Sequence, residues 1–117
     1  WLPRLEEAEL FKLYRNSDLL IFPSLHDSGG MVILEAMANG LPTATINIGG
    51  PGIIVNEKCG VVIEPKNKEE DQLIIDFSKS IIDVLNNKNK LLDLKKNCLE
   101  RIKLFTWKEK IKRIYNL

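Results

Sequence analysis

The sequence contains few cysteines and histidines, the residues that most often bind zinc or, for cysteine, form disulfides. Among its 117 residues there are two cysteines and one histidine. Cys59 and Cys98 do not form a CxxC pair, so with one histidine they cannot provide a zinc site of the usual spacing. Two isolated thiols also provide no disulfide framework, which favours a reducing compartment. We therefore expect a cytoplasmic protein that needs no metal or other cofactor.

The sequence also lacks a strong charge of one sign and a long apolar run. Its net charge is +1, which gives no field for attracting nucleic acid. No apolar run approaches 18 residues, and the start has no signal-peptide pattern. Because the first residue is Trp1, we expect part of a longer polypeptide. Hydrophobic residues at 44% and charged residues at 28% are typical of a globular chain, and we predict one domain over residues 1–117.

The hydrophobic patterns predict an α/β fold. Apolar or β-branched runs at 18–22, 43–46 and 60–63 predict buried strands, and an apolar stretch at 30–39 predicts a helix buried all round. A strand, helix and strand in this order form a right-handed unit with parallel strands. The fold class is thus a partial Rossmann-like parallel sheet of about three strands flanked by helices. Further helices are predicted at 4–15, 69–86 and 90–104, a short helical turn at 53–56, and a last helix after a capping box of Thr106 and Glu109.

Two polar, glycine-rich loops follow the first two strands, at 23–30 and 47–52. Ligands of open parallel sheets bind beyond the carboxyl ends of the strands. The first loop leads directly into a helix, where free backbone N–H groups and the helix dipole favour an anion. Gly29 and Gly30 would let a phosphate approach closely. The alternative is that Ser28 caps the helix and the glycines only form a tight turn.

Acidic side chains occur at two positions of this region. Glu35 is the only charged residue of the apolar helix, and a buried carboxylate without a partner is costly. It is suited to accept hydrogen bonds from the vicinal hydroxyls of a ribose, although an acid near a helix start is also favourable by itself. Asp27 precedes it on the loop, where the reacting group of a ligand would lie, and His26 is its neighbour.

Residues 22–42 resemble a known signature. The stretch FPSLHDSGGMVILEAMANGLP resembles P-S-x-x-E-G-x-G-x-x-x-x-E-A-M-A-x-G-x-P of the family-4 retaining glycosyltransferases, which have the GT-B fold. The two acids of that signature are separated by seven residues and match Asp27 and Glu35. Residues 60–65 and 105–107 resemble later segments of the same family.

The resemblance implies half of a GT-B C-terminal domain that binds a nucleotide diphosphate-sugar. Glu35 would bind the ribose and Asp27 the transferred sugar. The backbone amides of Met31 and Val32 would bind the diphosphate. The backbone amides of Ser28, Gly29 and Gly30 would bind hydroxyls of the transferred sugar. The implied enzyme is a retaining hexosyl-type transferase of bacterial polysaccharide biosynthesis. Its acceptor domain and its basic diphosphate-binding pair would lie in a missing N-terminal part of the polypeptide, so this fragment alone would be inactive.

Some positions depart from the signature, and two other functions stay open. Asp27 stands where the family has Glu, and Ile53 stands where it often has Glu. A non-catalytic α/β module that binds a nucleotide or a protein is the alternative, and the spacing of the acids argues against a sugar-nucleotide epimerase. We also expect self-association through an exposed sheet edge, no nucleic-acid partner, and a full-length enzyme that is cytoplasmic or peripheral to the inner face of the membrane.

Overall fold

The protein contains a parallel three-stranded sheet. The computed structural model describes residues 3–25 and 30–106. Its strands are β1 (Leu20–Phe22), β2 (Thr43–Ile46) and β3 (Gly60–Ile63), and they lie in the order β1-β2-β3. Both pairings are parallel. The predicted bounds of β2 and β3 are confirmed, whereas β1 begins two residues later than predicted.

Helices surround the sheet on both faces. Their bounds are α1 (Glu7–Asn16), α2 (Met31–Ala38), α3 (Gly49–Ile54), α4 (Glu70–Leu85) and α5 (Lys88–Arg101), and α5 continues as a 3-10 turn (Ile102–Phe105). The α/β fold class predicted from the sequence is confirmed. The last predicted helix, with Glu109 of its capping box, lies outside the described residues. Within the part of the chain that the structure describes, no helix has the length and apolar character needed to cross a membrane.

Helix α3 corrects the prediction for its segment. The sequence predicts a loop at 49–52 and a helical turn only at 53–56, because three glycines and a proline disfavour a helix interior. The helix instead begins at Gly49, so Pro51 lies in its first turn. A proline is tolerated there because the N–H that it lacks would have no intrahelical partner.

The core is divided between the two faces of the sheet. Alternate residues of a strand point to opposite faces, so β3 contributes to both. One cluster joins Ala44, Val61 and Ile63 to Phe77, Ile81, Val84 and Leu94 of α4 and α5. The other joins Leu20, Phe22 and Val62 to Ile33, Met37 and Ile54 of α2 and α3 and to Cys59 and Cys98. Both faces of the central strand β2 are therefore covered.

Some residues predicted to be buried are exposed. Helix α2 is not buried all round, since the side chains of Met31 and Val32 are 65% and 41% exposed. These are the first two residues of the helix, at the end that faces away from the core. The next residue, Ile33, is fully buried. In α4, Ile74 and Leu85 of the predicted core stripe are also about half exposed, because they flank the stripe that faces the sheet.

The two cysteines are free buried thiols. Cys98 lies on α5, and its Sγ donates a hydrogen bond to the backbone oxygen of Cys59 at 3.1 Å. This contact joins α5 to the residue that directly precedes β3.

Two buried threonines of β2 have different hydrogen bonding. Thr45 Oγ1 donates to the backbone oxygen of Phe22 at 3.0 Å. Thr43 Oγ1 is buried without a hydrogen-bond partner among the described residues. A buried polar group without a partner costs free energy, and a bonded one contributes about 1 kcal/mol.

We therefore expect Thr43→Val to raise the free energy of unfolding by about 1 kcal/mol, and Thr45→Val to lower it by a similar amount. Urea denaturation of both variants measures the difference, and each variant serves as the volume-matched control of the other. Equal effects, or the reverse order, would contradict this assignment.

Candidate functional site

The starts of two helices meet at the carboxyl edge of the sheet. β1 and β2 are parallel, and each leads through a loop into the helix that follows it, α2 or α3. A Cβ atom added to Gly30 would lie 3.7 Å from the backbone nitrogen of Pro51 and 3.8 Å from the carbonyl carbon of Gly50. The two helix starts are therefore in contact. Because a helix carries partial positive charge at its start, this edge of the sheet favours an anion.

Gly30 has a backbone conformation that suits glycine. Its φ is 64°, in the left-handed region, and it occupies the N-cap position of α2. One interpretation of the sequence makes Ser28 the N-cap of this helix. In the structure the N-cap position is occupied by Gly30. The amides of Met31 and Val32 lie in the first turn, whose N–H groups have no intrahelical partner. The side chains of Met31 and Val32 at this turn are exposed.

Glu35 lies one turn further along α2, in the wall of a cleft. The cleft has a volume of about 730 Å³. Its other lining residues come from the N-terminal segment and α1, and they are Arg4, Leu5, Glu6, Glu7, Leu10 and Phe11. The sequence indicated Glu35 but not this opposite wall. Residues 4–11 have the sequence pattern of the start of an amphipathic helix. This pattern does not distinguish the segment from an ordinary solvent-exposed one.

The Glu35 side chain has a partner on α1. Tyr14 Oη donates a hydrogen bond to Glu35 Oε2 at 3.3 Å. The backbone oxygen of Glu35 accepts from Asn39 Nδ2 at 2.9 Å, and Asn39 Oδ1 accepts from an Arg15 guanidinium nitrogen at 3.0 Å. Two residues of α1 thus fix the segment around Glu35. Neither residue was predicted to belong to the site, and the one signal for them in the sequence is a tyrosine on the apolar stripe of α1.

The second polar loop ends at the same edge of the sheet. Asn47 follows β2, and its Nδ2 donates to Glu64 Oε2, directly after β3, at 2.8 Å. A Cβ atom on Gly52 would collide with the Asn47 side chain, and it would lie 3.1 Å from the Asn47 backbone. The glycine of α3 therefore allows the helix to lie directly against the end of β2.

The remaining predicted site residues lie outside the described part of the chain. These are Asp27, Ser28 and Gly29, together with their neighbour His26. Of the predicted residues that the structure describes, Gly30, Met31 and Val32 form the helix start and Glu35 lies in the adjacent cleft. Among the described residues, no group of three His, Cys, Asp or Glu side chains is placed to hold a metal ion.

Comparison with known proteins identifies the family. The family model "Glycosyl transferases group 1" matches residues 1–101. The chain belongs to this family. An uncharacterised glycosyltransferase of Methanocaldococcus jannaschii is 41% identical over 61 residues, which are 51% of this chain and 16% of that protein. Sucrose synthase 6 of Arabidopsis thaliana is 38% identical over 109 residues, which are 81% of this chain and 11% of that protein.

Solved structures of glycosyltransferases have the same fold. Sucrose-phosphate synthase from Thermosynechococcus elongatus superposes with a TM-score of 0.78 at 23% identity, over 98% of this chain and 29% of that one. WaaG, a glycosyltransferase involved in lipopolysaccharide biosynthesis, superposes with a TM-score of 0.69 at 25% identity, over 91% of this chain and 28% of that one. The predicted relation to GT-B glycosyltransferases is confirmed. The glycosyltransferase chain described here spans less than a third of each of these relatives.

Proposed function

We propose that this chain is the donor-binding part of a longer retaining glycosyltransferase. The whole enzyme would transfer a hexosyl-type sugar from a nucleotide diphosphate-sugar to a glycan or glycolipid acceptor, and this part alone would be inactive. The observation that carries the proposal is the Glu35 carboxylate, which lies in the wall of a cleft one turn beyond the start of α2. The membership in the glycosyltransferase family supports it.

The spacing along α2 fits a nucleotide. An α-helix rises 1.5 Å per residue, so Glu35 lies roughly 6 Å along the axis from Met31. A diphosphate at the first turn would then place the attached ribose beside Glu35. The base would occupy the cleft between Glu35 and residues 4–11, whose volume of about 730 Å³ is within the usual range of small-molecule sites.

The start of α2 would also contribute to the reaction. When the glycosidic bond to the donor breaks, negative charge develops on the leaving diphosphate. Fixed backbone N–H groups and a helix dipole stabilise such charge without reorganising. In the proposed mechanism the sugar is transferred with retention, and the leaving diphosphate accepts the proton of the acceptor hydroxyl. Asp27 remains the predicted contact of the transferred sugar.

The open edge of the sheet fits a larger protein. β1 is an edge strand of the described sheet, and Ile21 in its centre is 52% exposed. Parallel strands are normally buried on both faces. Because side chains of a strand point to the faces of the sheet, we propose that the rest of the polypeptide, with the acceptor domain, covers the exposed face of β1 as well as its open edge. Self-association through the edge and peripheral attachment to a membrane stay predictions.

Replacing Glu35 tests the proposed function. In the complete polypeptide we expect Glu35→Ala to weaken the binding of the preferred donor nucleotide by at least about tenfold, because hydrogen bonds to a charged group are lost. Isothermal titration with UDP-, GDP- and ADP-sugars measures the affinity.

A matched control is Glu100→Ala, which removes an exposed carboxylate that pairs with Lys103 Nζ at 3.2 Å and does not line the cleft. This control should bind the donor as the unsubstituted enzyme does. Unchanged affinity in Glu35→Ala would rule out the ribose assignment. Donor binding without any release of nucleoside diphosphate, in the presence of acceptors, would instead favour a non-catalytic nucleotide-binding module.

A further inference from the structure

Tyr14 links the apolar core to the acid in the cleft. Tyr14 is 7% exposed and packs in a small core cluster with Ala36 and Leu41. It also lies against the Phe11 ring, with a centroid distance of 6.2 Å, and Phe11 lines the cleft. Its hydroxyl donates a hydrogen bond to Glu35 Oε2 at 3.3 Å. Since packing fixes the ring, the position of the hydroxyl is fixed as well.

We propose that Tyr14 is a positioning residue that holds the Glu35 carboxylate in the orientation that accepts the ribose hydroxyls. The inference rests on the proposed function, because it assigns a purpose to a contact of the same site. Tyr14 would not touch the nucleotide, and it would act only through Glu35.

The hydrogen-bonding capacity of a carboxylate permits this arrangement. An ionised carboxylate has two oxygens and about four acceptor positions. The Tyr14 hydroxyl uses one position on Oε2, so Oε1 and the remaining positions can accept two vicinal hydroxyls. A glutamate side chain that is free to rotate loses conformational entropy when a ligand fixes it. Because Tyr14 fixes it beforehand, the nucleotide would bind more tightly.

The hydroxyl of Tyr14 stays protonated under physiological conditions. Burial, followed by the nearby charge of Glu35 and the hydrogen bond to it, raises the pKa of Tyr14 above its usual value. The group therefore remains an O–H donor at neutral pH. Asn39 completes the arrangement, because its side chain holds the backbone oxygen of Glu35.

Tyr14→Phe is the direct test, since it keeps the packed ring and removes only the hydroxyl. In the complete polypeptide we expect UDP or GDP, whichever the enzyme binds, to bind about fivefold more weakly, the effect of losing one hydrogen bond. The control is Ser17→Ala. It removes another hydroxyl beside α1, one that donates to the backbone oxygen of Leu13 at 2.8 Å and does not contact Glu35. Its affinity should not change.

A nucleotide without ribose hydroxyls separates positioning from a merely structural role. The 2′,3′-dideoxy form of the same nucleoside diphosphate offers Glu35 no vicinal hydroxyls. If Tyr14 acts through Glu35, Tyr14→Phe should leave the affinity for the dideoxy form unchanged, as measured by ligand-observed NMR. Equal weakening of both nucleotides would overturn the proposal, because it would show a general change of the cleft.

A double substitution distinguishes failure of this inference from failure of the proposed function. In a Glu35→Ala background, Tyr14→Phe should cause no further loss of affinity. If Glu35→Ala weakens binding and Tyr14→Phe alone does not, the positioning role is wrong and the proposed function stands. If Glu35→Ala itself has no effect, both are wrong. Additive losses in the double variant would also overturn the positioning role.

Discussion

Gly60→Ala is expected to lower the free energy of unfolding by about 3 kcal/mol, because the added methyl group overpacks the centre of the sheet. Gly60 is the first residue of β3 and pairs with Thr43 of β2. An added Cβ would collide with the backbone oxygen of Thr43, and it would lie 2.6 Å from Val55 Cγ1. A backbone oxygen in the central strand cannot move aside without distorting the sheet. Urea denaturation measures the loss.

Gly40→Ala is the control that isolates this collision. Gly40 has a φ of 73°, which a residue with a Cβ adopts at a cost of about 1 to 2 kcal/mol. Its added Cβ would meet only the Leu99 side chain, at 3.8 Å, an ordinary contact. Backbone conformation alone would therefore rank Gly40 as the more sensitive glycine, because the φ of Gly60 is not in the left-handed region. A larger loss for Gly40→Ala than for Gly60→Ala would contradict the steric argument.

The strands could be predicted from sequence because their signals are local. The run of β-branched residues in 43–46 and the apolar run in 60–63 each form a buried parallel strand with the predicted bounds. The glycines and prolines around them end the elements at the expected places. Such patterns are reliable because burial on both faces requires apolar side chains at consecutive positions.

The start of α3 and the exposure of α2 could not be predicted in the same way. Propensity argues against a helix at 49–52, and the short helix forms because it packs on β2 and α2. The exposure of Met31 and Val32 depends on where the sheet ends, which their own hydrophobicity does not indicate. In both cases tertiary packing overrides the local preference.

Only part of the candidate site could be predicted from the sequence. Glu35 could be predicted as a site residue because it is the only acid in an apolar helix, and the family signature assigns it a role. Its contact with Tyr14 spans 21 positions of the chain, and the cleft wall at residues 4–11 is further away still. No periodicity encodes such a juxtaposition, because it arises from the way α1 packs on α2.

Gly30→Ala is expected to affect both the stability of the protein and the proposed donor site. A residue with a Cβ at a φ of 64° costs about 1 to 2 kcal/mol, and overlap with a neighbour adds about 1 kcal/mol. The neighbour is Ile54 Cδ1, which would lie 2.7 Å from the added methyl group. The total loss of about 2 to 3 kcal/mol is measurable by urea denaturation. Since Gly30 precedes the first turn of α2, nucleoside diphosphate affinity should fall as well.

A second substitution separates the two contributions to the Gly30→Ala effect. Ile54→Val removes the Cδ1 atom, at a cost of about 1 kcal/mol in its own right. In the double variant the overlap is gone while the backbone strain remains. The loss of unfolding free energy in the double variant should therefore be about 1 kcal/mol smaller than the sum of the two single losses. Strict additivity would show that Ile54 does not limit the space at Gly30. Nucleotide affinity that recovers with stability would show that the packing of Gly30 against Ile54, the last residue of α3, maintains the shape of the anion site.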